Sequence, residues 1–250
     1  MRGFACTMAN LERPSPAHIV HRSWADEDAK MIGRTVRELL RRATSATLAT
    51  LDIGTGHPYA SLVEVATLPD ARPVLLLSRL ARHTRNLDAD PRASLLIDQR
   101  AVAASAVASE RATLVGTIRP SRDAICRDRY VSRYPGAATW AEFSDFAFWV
   151  MQPDHGHLIA GFGRISEVSW AEVNLACDEA RTGGPQGAEL LASVNDAIEA
   201  SGATERVVGI DAEGVDLIAA GQLTRLTFGC NAASKNKLFR TIASIIAPGR

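Results

Sequence analysis

HPYASLVEVATLPDARPVLLLSRLARHTRNLDADPRASLLI, residues 57–97, sets apolar runs between turn signals and gathers its polar side chains in one place. It reads as strand, turn, strand, short helix, strand, with Pro69 and Asp70 marking the turn. The apolar run Val74–Leu77 ends where Ser78, Arg79, Arg82, His83, Thr84, Arg85 and Asn86 cluster and a helix begins. A helix start has unpaired backbone N–H groups and a partial positive charge. Arg, His and Thr side chains added there make a receptor for a phosphate group. The alternative is a solvated helix following a buried strand.

Outward from this stretch, the pattern is one of short strands. They fall near 46–52, 58–67, 73–78, 92–98, 111–119, 145–152, 156–160 and 164–169, with Gly54 and Gly56 in the first turn. Two short helices interrupt them, near 81–89 and 122–134. A longer helix precedes them over 24–43. Asp26, Glu27 and Asp28 are placed in its first turn, Arg41 and Arg42 in its last, and Met31, Val36, Leu39 and Leu40 on its apolar stripe. Many strands with few helices predict an α+β, mainly β protein built as a barrel rather than a doubly wound sheet. Residues 1–23 contain Pro14 and Pro16 without periodicity and read as a flexible arm. The Ala/Ser-rich run 101–109 reads as a loop.

RTGGPQG, residues 181–187, reads as a linker closing a first domain of residues 24–180. Residues 185–250 form a second pattern: a helix near 187–200, strands near 205–210, 214–219 and 222–228, and a helix near 234–247. Glycine-bearing turns at 211–214 and 219–222 join the strands. The expectation is a small α-β-β-β-α domain.

The 250 residues carry a formal net charge of +0 and are 46% hydrophobic. Such a balance provides no global field for nucleic acid or an anionic membrane. No apolar run reaches the ~20 residues of a spanning helix. MRGFACTMAN is too short and polar for a signal peptide. Cys6, Cys126, Cys177 and Cys230 lie far apart, which suits reduced thiols and a cytoplasmic protein. Neither a Rossmann GxGxxG before a helix nor a P-loop occurs. No catalytic residue and no metal cluster stands out from spacing.

The segments ATLATLD (46–52), GHPYASLVEVA (56–66), VLLLSRLARHTRNLDADPRASLLID (74–98), ATLVGTI (112–118), FSDFAFWVM (143–151) and HLIAGFGRISEV (157–168) occur in order. Together they resemble the FMN-binding split β-barrel family that includes pyridoxamine 5′-phosphate oxidase. The HugZ-type branch, with its small C-terminal α/β domain, is especially similar. The resemblance to that domain is clearest at VVGIDAEGVDLIAAGQLTRLTF (207–228). It implies a split barrel, FMN as cofactor, a small-molecule ligand, oxidoreductase-like activity and a homodimer sharing the site. It also implies that Arg82 and His83 hold the FMN phosphate, His83 standing where the family has Lys. Ser78 and Thr84 border that phosphate. Tyr59, Ser61 and Val63 lie on the strand beside the flavin ring, where backbone amides matter most. Beyond HLIAGFGRI the chain departs from the oxidase pattern, so the resemblance does not extend to the vitamin substrate's site.

Two other readings stay open. HugZ-type proteins bind haem through histidine, and His155 and His157 alternate so as to share one strand face. The branch's C-terminal histidine motif corresponds to Ser193-Val194-Asn195-Asp196-Ala197-Ile198, without histidine, and no histidine follows His157. The other reading is a cofactor-free regulatory binding protein, as the two-domain plastid relatives suggest. Trp140, Phe143, Phe146, Phe148 and Trp149 are read as packing or interface residues, with Phe146 and Phe148 on one face.

Overall fold

The computed structural model describes residues 20–98, 109–161, 164–175, 185–200, 202 and 204–227. The expected arm up to residue 19, most of the loop at 101–109, the start of the linker and the helix at 234–247 lie outside the described residues. The chain is α+β and mainly sheet. Helix α1 (Val20–Arg42) leads into β1 (Ser45–Leu51), β2 (Pro58–Glu64), β3 (Ala66–Thr67) and β4 (Pro73–Ser78). Then follow α2 (Arg82–Ala89), β5 (Arg92–Asp98), β6 (Glu110–Ser121), α3 (Ala124–Arg133), α4 (Ala137–Ala141), β7 (Phe146–Ala160), β8 (Ile165–Ser169) and α5 (Trp170–Val173).

These strands form one antiparallel eight-stranded sheet in the order β2-β1-β5-β6-β7-β4-β3, with β8 added to β7. One face of the sheet lines the core. Ala46, Leu48 and Thr50 on β1, Ala93, Leu95 and Ile97 on β5, and Ala112, Leu114 and Ile118 on β6 all turn inward. Val36, Leu39 and Leu40 of α1 enter the same core with Trp149 and Met151.

The structure corrects several sequence expectations. The run expected as one strand over 58–67 breaks at Val65 into β2 and β3, which pair with opposite ends of the sheet. One bent segment therefore supplies both sheet edges, and this makes the barrel. Tyr134 Oη lies 2.6 Å from the Thr44 carbonyl and 2.8 Å from that of Val65, pinning the corner. The expected pair of strands at 145–152 and 156–160 is the single strand β7. Its register slips at Val115/Gly116, where Asp154 is the extra residue. A β-bulge absorbs Pro153 without ending the strand. In α1 the start at Val20 leaves the first turn without an acidic residue. Met31 is 69% exposed, off the stripe of Val36 and Leu40.

Helix α6 (Pro185–Ala200) and the three-stranded antiparallel sheet β9 (Arg206–Asp211), β10 (Gly214–Ala219) and β11 (Gln222–Thr227) build a second core. Val194, Ile198, Val207, Ile210 and Val215 fill it. This sheet meets the barrel through buried charge. Arg41 lies 3.2 Å from Asp211, and Arg225 bonds both Asp211 and Asp216 at 2.8 Å. Arg37 pairs with Glu213 at 2.6 Å. Arg129 donates to the carbonyls of Thr67 and Ile210, bridging the two units. Among the described residues no helix is long and apolar enough to cross a membrane.

Candidate functional site

Helix α2 begins where β4 leaves the sheet. Its N-cap is Ala81, whose side chain cannot accept a hydrogen bond. The first-turn N–H groups of α2 therefore lack the usual side-chain cap and face outward with the positive end of the helix. The helix seats itself through Thr84, Asn86 and Leu87, all buried. Asn86 donates through Nδ2 to Thr50 Oγ1 (3.0 Å) and accepts from the backbone N–H of Ile53 (3.2 Å). This ties α2 to the end of β1 and to the following hairpin.

That hairpin carries Asp52. Its Oδ1 accepts from the backbone N–H groups of Gly54 and Thr55 and from the Thr55 hydroxyl at 2.9–3.2 Å. Gly56 closes the turn at φ +72, a conformation that favours glycine. The other carboxylate oxygen accepts from Arg82 Nε at 2.6 Å. The Arg82 hydrogen bond, then that of Thr55, holds the Asp52 carboxyl down to about 2, while Asp52 raises the Arg82 guanidinium above its ordinary value. Arg82 Cζ sits 5.2 Å from the centre of the Tyr59 ring, a cation–π contact. Its terminal nitrogens have no protein partner among the described residues. His83 Nδ1 lies 3.1 Å from Ser61 Oγ. Burial pushes the His83 imidazole below its ordinary value, so it is neutral at pH 7. Thr84 Oγ1 is buried without a hydrogen-bond partner among the described residues.

Of the residues singled out in the sequence, Arg82 meets Tyr59 and His83 meets Ser61, two adjacent pairs between α2 and β2, with Thr84 one residue further along α2. Val63 is on the same strand but its side chain is in the barrel core. Ser78 is occupied: its hydroxyl donates to Asp145 Oδ2 at 2.8 Å and accepts from the Leu80 N–H. Asp52 is the residue at this site that the sequence reading missed. Asn86 stood in the polar cluster at the helix start without a role; a buried Asn inside a short helix was the available signal, since Asn is disfavoured there without a specific partner. Asp52 in DIGTG reads first as a turn residue.

The remaining candidates are structural or dispersed. His155 and His157 do share the outer face of β7. Among the described residues no cluster of three His, Cys, Asp or Glu could hold a metal. Phe148 packs edge-on to Tyr130, Trp149 is in the core, and Trp140 and Phe143 are exposed in a T-shaped pair. In 193–198, Val194 and Ile198 are core residues. Asn195 exchanges hydrogen bonds of 2.9 Å with both the N–H and the carbonyl of Val207, clamping α6 to β9.

A curled antiparallel sheet closed by one bent edge segment, with a polar helix start at its rim, is the split-barrel class. The family model described as pyridoxamine 5′-phosphate oxidase matches residues 32–160, more than half of the chain, and the chain belongs to that family. It is similar to the chloroplastic non-canonical heme oxygenase HOZ of Arabidopsis thaliana, with 33% identity over 109 residues. That match covers 42% of this chain and 33% of the plant protein, so the chain spans about a third of that relative. Among solved structures it is similar to a heme-binding protein from Mycobacterium smegmatis, at 25% identity and a TM-score of 0.53 over 96% of this chain and all of that one (100%). A protein of unknown function from Agrobacterium tumefaciens shares the fold, at 23% identity and a TM-score of 0.68, over 92% of this chain and 100% of that one.

Proposed function

We propose that this chain is an FMN-binding, oxidoreductase-like protein that works as a homodimer and holds the cofactor's phosphate at the start of α2. The observation that carries the reading is the donor set there. Helix α2 opens without a side-chain cap, Arg82 keeps its terminal nitrogens for a ligand, and the buried Thr84 hydroxyl has no partner among the described residues. Backbone N–H groups, a guanidinium fork and a hydroxyl are the donors a phosphate needs. Ser78 is not part of this set, because its proton is committed to Asp145.

The chain's own residues bind and orient. Arg82 supplies a permanent charge, and its position over Tyr59 fixes the direction of the fork. Neutral His83 supplies hydrogen bonding rather than charge at pH 7. In either tautomer Nδ1 is engaged by Ser61 Oγ, which leaves Nε2 as the ring nitrogen for a ligand. The β2 strand, paired among the described residues by β1 alone, offers backbone groups along its other edge. Bound flavin would supply the electron-transfer chemistry. Fluorescence quenching of FMN and riboflavin tests this. Arg82→Ala should weaken FMN about ten- to hundredfold and leave riboflavin, which lacks the phosphate, unchanged. Equal losses for both flavins would overturn the reading.

The second reading is haem binding, favoured by the likeness to the plant heme oxygenase and to the mycobacterial heme-binding protein. Here His155 and His157 are the available strand histidines. A haem titration giving a Soret band that survives Arg82→Ala but is lost when both histidines become Ala supports it over the flavin.

A further inference from the structure

We infer that Asp52 is a positioning residue for the anion site, presetting the Arg82 guanidinium for its ligand although its own charge has the sign that repels an anion. The inference rests on the phosphate-binding reading above. Arg82 is 54% exposed along its side chain, while that of Asp52 is 4% exposed. A half-exposed arginine ordinarily samples many rotamers, and ordering it is part of the cost of binding. Here the ordering is done beforehand. Asp52 takes Nε at 2.6 Å and the Tyr59 ring lies 5.2 Å from Cζ, so the fork can point only away from both. Asp52 itself cannot swing, because its other oxygen holds two backbone N–H groups and a hydroxyl of the hairpin turn.

The opposing effect is repulsion. It is weakened because the carboxylate already shares its charge with four donors, and because solvent beside Arg82 screens it. The two effects have opposite signs, which makes the assignment testable. Asp52→Asn retains a side-chain oxygen for the turn and removes the charge that fixes Nε.

Dissociation constants for FMN and riboflavin are measured by fluorescence quenching for the full chain, Asp52→Asn, Asp52→Glu, Arg82→Ala and the Asp52→Asn/Arg82→Ala pair. Positioning predicts that Asp52→Asn weakens FMN about fivefold, a coupling typical of contacting side chains. Riboflavin should be unaffected, and Asp52→Glu should recover part of the loss. In the double variant Asp52→Asn should add nothing to the loss from Arg82→Ala. Unchanged or tighter FMN binding by Asp52→Asn overturns the inference while leaving the phosphate reading intact. Equal weakening of both flavins also overturns it, by showing a role confined to folding. If the unaltered chain does not prefer FMN to riboflavin, the phosphate reading fails and this inference falls with it.

Discussion

Thr84 bears two opposing demands. It is fully buried and its hydroxyl has no partner among the described residues. An unpaired buried hydroxyl costs about 1–3 kcal/mol, and a methyl of the same shape removes that cost. Thr84→Val should therefore raise the melting temperature of the ligand-free chain by a few degrees. If the hydroxyl serves the phosphate, the same change weakens FMN. Thermal melts with and without FMN check both signs, and a lower ligand-free melting temperature would refute the first. His83 makes a pH prediction. Burial holds its folded pKa below the unfolded value near 6.5. The unfolded chain then binds more protons, so stability is complete above about pH 6.5 and is lost as pH falls toward the folded value. Between about pH 7.5 and about pH 5.5, the melting temperature should drop less in His83→Gln than in the unaltered chain. At this scale the sequence pointed to Arg82 and His83 through the density of polar residues at a helix start. It hid Asp52, because a turn aspartate and an arginine anchor look alike until the hairpin folds back thirty residues onto α2.

At the scale of the element, apolar runs bounded by turn residues located nearly every strand, and β1, β5 and β6 each put one face in the core. Where strands bend, that signal fails. Val65 is buried like Val63 before it and Ala66 after it, so nothing in 58–67 announces that β2 and β3 pair with opposite sheet ends. Pro153 reads as a breaker, yet β7 passes through it because β6 provides a bulge partner without a side chain. A Cβ on Gly116 would lie 2.2 Å from the Gln152 carbonyl oxygen and 2.6 Å from Pro153 Cα, both backbone atoms that cannot step aside. Gly116→Ala should destabilise the chain by about 1–3 kcal/mol through forced backbone movement. Urea denaturation measures this; a loss of a few tenths would mean the bulge relaxes at little cost.

Across the whole molecule, the least legible feature is the buried charge between the two sheets. Arg41 and Asp211 are 170 residues apart in sequence, and no spacing rule links them. Burial would raise the Asp211 carboxyl, but the Arg41 and Arg225 guanidiniums outweigh it and hold the group well below the usual carboxylate range. Neutralising it leaves Arg41 buried without its carboxylate and Arg225 with Asp216 alone. Asp211→Asn should cost about 3–5 kcal/mol, the range for breaking a buried pair by removing one partner. Deleting residues 185–250 is a different perturbation. The barrel core runs from Val36 to Val173 and takes no residue from the second sheet. The deletion also removes the cover over Arg37, Arg41 and Arg129, so water can solvate the charges that a point substitution would strand. The shortened chain should therefore keep a cooperative thermal transition, while full-length Asp211→Asn shows a lowered one. Loss of any cooperative transition on truncation would show that the barrel and the second sheet fold only as one body.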